Sequence, residues 1–151
     1  MRIITTSLAA TALLTSAAMG DGIAPSAVKF DDGAVMAALT SNAGDAAAGR
    51  DVFKNRKQGN CLACHINAEM PNQSFQGEVG PELTGVADRW EEGELRAIVA
   101  NAKMVFEDTI MPAFYIDTGY ARPLKKFDGK SILSAQQVED VVAYLMTLKE
   151  Q

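Results

Sequence analysis

Two cysteines and one histidine are all that the chain has of either type, and the three stand together as Cys61-Leu62-Ala63-Cys64-His65. Two thiols three positions apart can add to the two vinyl groups of a haem, while the adjacent imidazole reaches the iron from one face. Three other chemistries use the same residues. A structural zinc needs four ligands, and no Cys or His remains outside the run to complete the set. A dithiol redox centre of the thioredoxin kind needs a strand before the motif, whereas a polar helix end, residues 54–60, precedes it here. A plain disulfide between Cys61 and Cys64 would leave His65 without a role. Covalent haem attachment is the reading that uses all three residues.

With His65 as one axial ligand, counting excludes a second histidine on the other side of the iron. The sixth position falls to a methionine, a lysine, the amino terminus, water or nothing. Among Met36, Met70, Met104, Met111 and Met146, with Met19 if it survives cleavage, Met70 stands too soon after His65 to cross to the opposite face. Met146 lies beside Leu145 on a terminal helix, where filling the core is the ordinary role. Met111 precedes Pro112, which biases it toward extended backbone and suits a loop laid across a flat ligand. Met111 is the expected ligand, and Met104, at the end of the preceding helix, is the alternative. A thioether opposite an imidazole raises the reduction potential relative to two imidazoles. A six-coordinate iron leaves no open position for substrate, so electron transfer is the expected role. With both thiols bound to haem, the chain has none left to carry sulfur.

Three helices must position these groups. Asp45 can cap a helix over residues 46–57, on which Gly49 and Phe53 share a face. Leu95, Ile98, Val99 and Ala102 repeat at helical spacing on a second helix, with Glu91, Glu92 and Glu94 near its positive end and Lys103 near its negative end. Ser134 and Gln137 form a capping box ahead of Val138, Val141, Val142 and Leu145, and Leu133 can staple to Val138. Strand signals are weak, so the fold class is all-α, helices and long loops around one cofactor. Residues 66–83 and 104–132 are longer than the irregular connections a small domain usually keeps. A large apolar cofactor would organise them.

The remaining sequence bounds the surroundings. The 151 residues suit one domain, and 14 basic against 19 acidic residues, a net charge of -5, argue against binding phosphate backbones. Residues 1–20 carry Arg2, an apolar stretch and a small-residue end with no acid before Asp21, which predicts a cleaved signal peptide, after Ala18 or Gly20, and an exported product. A membrane anchor is the other reading of this stretch, but polar residues interrupt its apolar run. Residues 21–44 form an N-terminal extension, either a disordered leader or an arm that docks on a partner through Val35, Met36 and Leu39. Residues 45–151 form the domain proper.

The order Gly49-x-x-x-Phe53, Cys61-x-x-Cys64-His65, Gly80-Pro81-Glu82-Leu83-Thr84-Gly85-Val86, Met111-Pro112-Ala113-Phe114 and Tyr144-Leu145 resembles class I cytochrome c. The resemblance implies a haem c, first and last helices crossing at Gly49, Phe53 and Tyr144, and a Pro81 carbonyl that accepts the Nδ1 hydrogen of His65. A narrower resemblance, carried by Met111-Pro112-Ala113-Phe114-Tyr115, Phe127-Asp128-Gly129-Lys130 and the stretch from Leu133 to Leu145, together with the leader and the extension over residues 21–44, is to the SoxX family of sulfur-oxidation cytochromes. That resemblance implies a periplasmic heterodimer with a SoxA subunit bearing the catalytic haem. Thiosulfate would be joined oxidatively to a cysteine of the carrier SoxYZ, and this chain would pass electrons to a downstream acceptor. Tyr115 is expected to hydrogen-bond near the Met111 sulfur. Two other classes stay open: a freely diffusing carrier docking through Lys125, Lys126 and Lys130, and a haem sensor with a weakly held sixth position.

Overall fold

The computed structural model describes residues 22–150. The signal-peptide expectation therefore lies outside the described residues. Four α-helices follow in order: α1 (Ala46–Lys54), α2 (Val86–Arg89), α3 (Glu92–Asn101) and α4 (Ala135–Leu145), joined by irregular chain and four short 3-10 turns. Among the described residues the only β pairing is the bridge between Asp31 and Ala34. No described helix is long and apolar enough to cross a membrane.

Each main helix starts where its capping residues stand. Asp45 Oδ1 accepts the amides of Ala47 and Ala48 at 2.8 and 3.2 Å. Ser134 and Gln137 form the reciprocal box at 3.2 and 2.9 Å. Glu91 and Glu94 form another at the head of α3. α1 stops at Lys54, short of the predicted residue 57, because Asn55 competes for the backbone. Its Oδ1 accepts the Lys57 amide at 2.9 Å, and its carbonyl accepts the amides of Gln58 and Asn60.

α1 and α4 cross where neither has room for a larger residue. A Cβ on Gly49 would lie 1.8 Å from the Asp140 carbonyl oxygen, and one on Gly44 2.3 Å from that of Glu139. The Asp45 amide donates to Asp140 Oδ1 at 2.9 Å beside the crossing. Phe53 meets Tyr144 edge to face, with centroids 5.5 Å apart. α3 buries Leu95, Ala97, Val99 and Ala100 in the same core, which Val138, Val141 and Val142 of α4 complete.

The N-terminal extension is ordered from residue 22 on, and two of the three apolar residues expected to dock on a partner are buried. Val35 and Leu39 are 2% and 0% exposed, inside the protein's own core, while Met36 between them is 78% exposed. The Val35 amide donates to Gly93 O at 2.9 Å, and the Leu39 amide to Glu139 Oε1 at 2.7 Å. Arg96 donates through Nη1 to the Val35 carbonyl at 2.9 Å. The segment is thus bonded to α3 and α4, and its apolar residues join the core there.

Candidate haem-binding site

The Cys61–Ala63 3-10 turn follows Asn60 in a left-handed conformation, φ 50°. The Cys61 carbonyl accepts both the Cys64 and His65 amides, at 3.1 and 3.0 Å, which gathers the three chemical side chains on one tight turn. Leu62 is buried and anchors that turn to the core. The chain then returns over it: Gly77 N donates to Leu62 O at 2.8 Å and Gly80 N to Cys64 O at 2.7 Å. Both glycines are required sterically. A Cβ on Gly77 would lie 2.1 Å from Ala63 O, and one on Gly80 2.4 Å from His65 Cε1.

His65 Nδ1 lies 2.7 Å from the Pro81 carbonyl oxygen. A carbonyl only accepts, so Nδ1 carries the hydrogen and Nε2 keeps the lone pair that a metal ligand needs. No disulfide joins Cys61 to Cys64. Burial pushes the Cys61 thiol up to about 12. The buried Cys61 thiol is therefore a poor thiolate ligand.

The loop after the motif carries its own polar frame. Asn67, fully buried, donates through Nδ2 to Tyr144 Oη at 2.9 Å. Gln76 accepts the Asn67 amide at 2.6 Å and donates to Met70 O at 2.8 Å. Residues 66–83 are thus organised by peptide and amide bonds as well as by whatever they enclose. Nothing in the sequence pattern singles out Asn67 or Gln76, because each acts through a partner distant in the chain or through main-chain atoms.

Met111 is half-buried against the core, whereas Met104 ends its 3-10 turn 56% exposed. Met70 is fully buried, and Met146 packs partly buried on the core. The Met111 strap is tied at both ends. On one side Lys103 Nζ donates to Thr109 O at 2.8 Å and to Met111 O at 3.4 Å. On the other, the Phe114 and Tyr115 amides both donate to Ala100 O of α3, at 3.1 and 2.9 Å. The expectation for Tyr115 is corrected: its hydroxyl donates to Ile23 O at 2.6 Å, and a phenol has one proton to give. Lys126 of the expected docking cluster reaches the Lys57 carbonyl at 3.3 Å and lies over the Phe127 ring.

The donor set, the glycine cradle under the imidazole and the solvent-facing Phe75, Val79, Ile110 and Leu124 of the two long loops suit a large flat apolar group held by two thioethers. The sequence model described as "Cytochrome c" matches residues 46–149. The chain belongs to the cytochrome c family. As a class I cytochrome c it binds one haem c covalently through Cys61 and Cys64. The cytochrome is similar to a chain in the crystal structure of SoxXA from P. pantotrophus. The two are 48% identical, with a TM-score of 0.80, and the match covers 85% of this cytochrome and 99% of that chain. A second solved structure, the c-type cytochrome SorU from Sinorhizobium meliloti, is 25% identical over 69% of this cytochrome and 90% of that chain, with a TM-score of 0.44. No curated protein matches the cytochrome.

Proposed function

We propose that this cytochrome is the electron-transfer subunit of a SoxXA-type heterodimer, with His65 and Met111 as the axial ligands of its iron. The observation that carries this reading is the 48% identity to a chain of SoxXA. That match takes in more of the cytochrome than residues 46–149, so it includes part of the N-terminal segment that a minimal cytochrome c domain does not have. The partner is a SoxA-like subunit, monohaem or dihaem, and the complex works in the periplasm. There thiosulfate is joined to a SoxYZ cysteine and the electrons leave to a downstream acceptor.

When bound, the haem supplies a one-electron couple. The protein's part is to hold it. Cys61 and Cys64 would hold the haem, Pro81 O fixes the tautomer of the imidazole that would bind its iron, and the strap tied by Lys103 and Ala100 would supply Met111. With both positions filled by protein, no substrate reaches the iron. Bond-making therefore belongs to the partner.

Two measurements test this. Co-expression with a SoxA-type subunit should give a stable one-to-one complex by size exclusion, and thiosulfate with SoxYZ should reduce this haem only within that complex. A lone monomer that exchanges electrons freely would support the diffusing carrier instead. The ferric protein should show the weak red band of methionine-to-iron charge transfer, and Met111→Ala should lose it. A band that survives in Met111→Ala and disappears in Met104→Ala would move the ligand to Met104.

A further inference from the structure

The Met111 strap is held from a third direction, by a part of the chain remote in sequence. Tyr115 sits at the end of the strap, its amide fixed to Ala100 O. Its side chain is buried, and its hydroxyl donates to Ile23 O at 2.6 Å. Ile23 in turn donates its amide to Leu39 O at 2.7 Å. Leu39 donates to Glu139 Oε1 at 2.7 Å, and Glu139 is locked to Arg96 in the core. An unbroken series of short bonds therefore joins the buried ion pair to the strap. A groove lined by Pro25, Ser26, Lys103, Pro112, Ala113 and Tyr120 lies between the N-terminal segment and the strap.

We propose that Tyr115 is a positioning residue for Met111, acting through its hydrogen bond to the Ile23 carbonyl, so that the N-terminal segment is a brace against opening of the sixth iron position. The proposal rests on Met111 being the ligand. Lifting the methionine away moves the strap against Ala100 and Tyr115. With Tyr115 tied to Ile23, the strap cannot swing as a unit without breaking that tie or drawing the N-terminal segment with it.

The test is the rate at which saturating imidazole displaces the methionine in the ferric holoprotein, a rate set by how often the strap opens. Tyr115→Phe keeps the ring and removes the tie, and it should open about tenfold faster, the factor that one net hydrogen bond is worth. Gly22→Val should accelerate opening independently, because a Cβ there would lie 2.8 Å from Leu39 O and 2.6 Å from Ala135 Cβ and would push Ile23 aside. Combined, the two should accelerate little more than either alone, since both remove the same bond. Val52→Ala, which loosens α1 away from the strap, should leave the rate unchanged. A Tyr115→Phe rate within about twofold of wild type, or an equal acceleration by Val52→Ala, overturns the proposal. Retention of the red band by Met111→Ala would instead refute the ligand assignment, whatever Tyr115 does.

Discussion

Glu139 grips Arg96 with both carboxylate oxygens, Oε1 to Nε at 2.8 Å and Oε2 to Nη2 at 3.0 Å, with the two side chains only 5% and 4% exposed. Glu92 meets the same guanidinium from its own helix, and Val35 O and the Leu39 amide take up the atoms that remain. Among the described residues no buried side-chain nitrogen or oxygen is left without a partner.

Breaking that fork from one side should be severe. Arg96→Met leaves a buried carboxylate alone and should lower stability by about 3–5 kcal/mol. The double variant Arg96→Met/Glu139→Leu should lose less than Arg96→Met, since neither charge is stranded. Denaturant midpoints of the ferric holoprotein read both.

Gly49→Ala should separate α1 from α4. The added methyl would stand 1.8 Å from a main-chain oxygen that cannot step aside, and overpacking of this kind costs about 1–3 kcal/mol, here at the upper end. Loss of denaturant resistance, with a weakened near-ultraviolet signal from the Phe53–Tyr144 contact, is the expected result.

Gly80→Ala should disturb the imidazole rather than the fold. Its Cβ would lie 2.4 Å from His65 Cε1, so the ring must turn and the 2.7 Å bond from Nδ1 to Pro81 O is lost. With His65 as the proposed iron ligand, that bond would make the imidazole a stronger donor and favour the oxidised iron. Its loss should raise the reduction potential by about 60 mV for a tenfold change in ligand strength. Redox titration measures the shift, and faster exchange of the Nδ1 hydrogen by NMR marks its cause.

All three tyrosines should ionise above the usual phenol range. Burial raises Tyr115, Tyr120 and Tyr144 above 10.0, and Asp117 adds to the first two. A group whose folded value is raised stabilises the fold fully below its unfolded value and loses that contribution as pH climbs through the folded one. Stability should therefore be insensitive to these phenols up to about pH 10 and fall beyond it. The ultraviolet phenolate band should appear in the native protein at higher pH than in the protein in denaturant.

Chemistry and helix starts were legible because they are local. Cys61, Cys64 and His65 act within one turn, Asp45 caps amides two and three residues on, and Ser134 pairs with Gln137. The all-α class followed from the same short-range patterns, and the Gly49 crossing was legible through the family resemblance. The N-terminal segment was opaque for the opposite reason. Val35 and Leu39 sit in a short apolar patch among Ala, Gly, Ser and Asp, and Leu39 is bonded to a residue 100 positions away. Tyr115 was assigned to its chain neighbour Met111, whereas its hydroxyl bonds 92 positions back. α2 is a single turn of four residues, too short for a periodic pattern. Asn55 ended α1 early through its own side chain, which periodicity does not register.

The placement of Val35 and Leu39 also bears on how the molecule comes into being. A chain delivered from one end, whether from a ribosome or through a pore, presents these residues first, the α3 seat of Val35 later and the α4 seat of Leu39 last. Until Glu139 has emerged, Leu39 lacks the carboxylate it bonds and α1 lacks the helix it crosses. Contacts of such sequence separation form slowly. Closure of the core against α4 is therefore a late event, one that follows delivery of the Cys61 and Cys64 thiols.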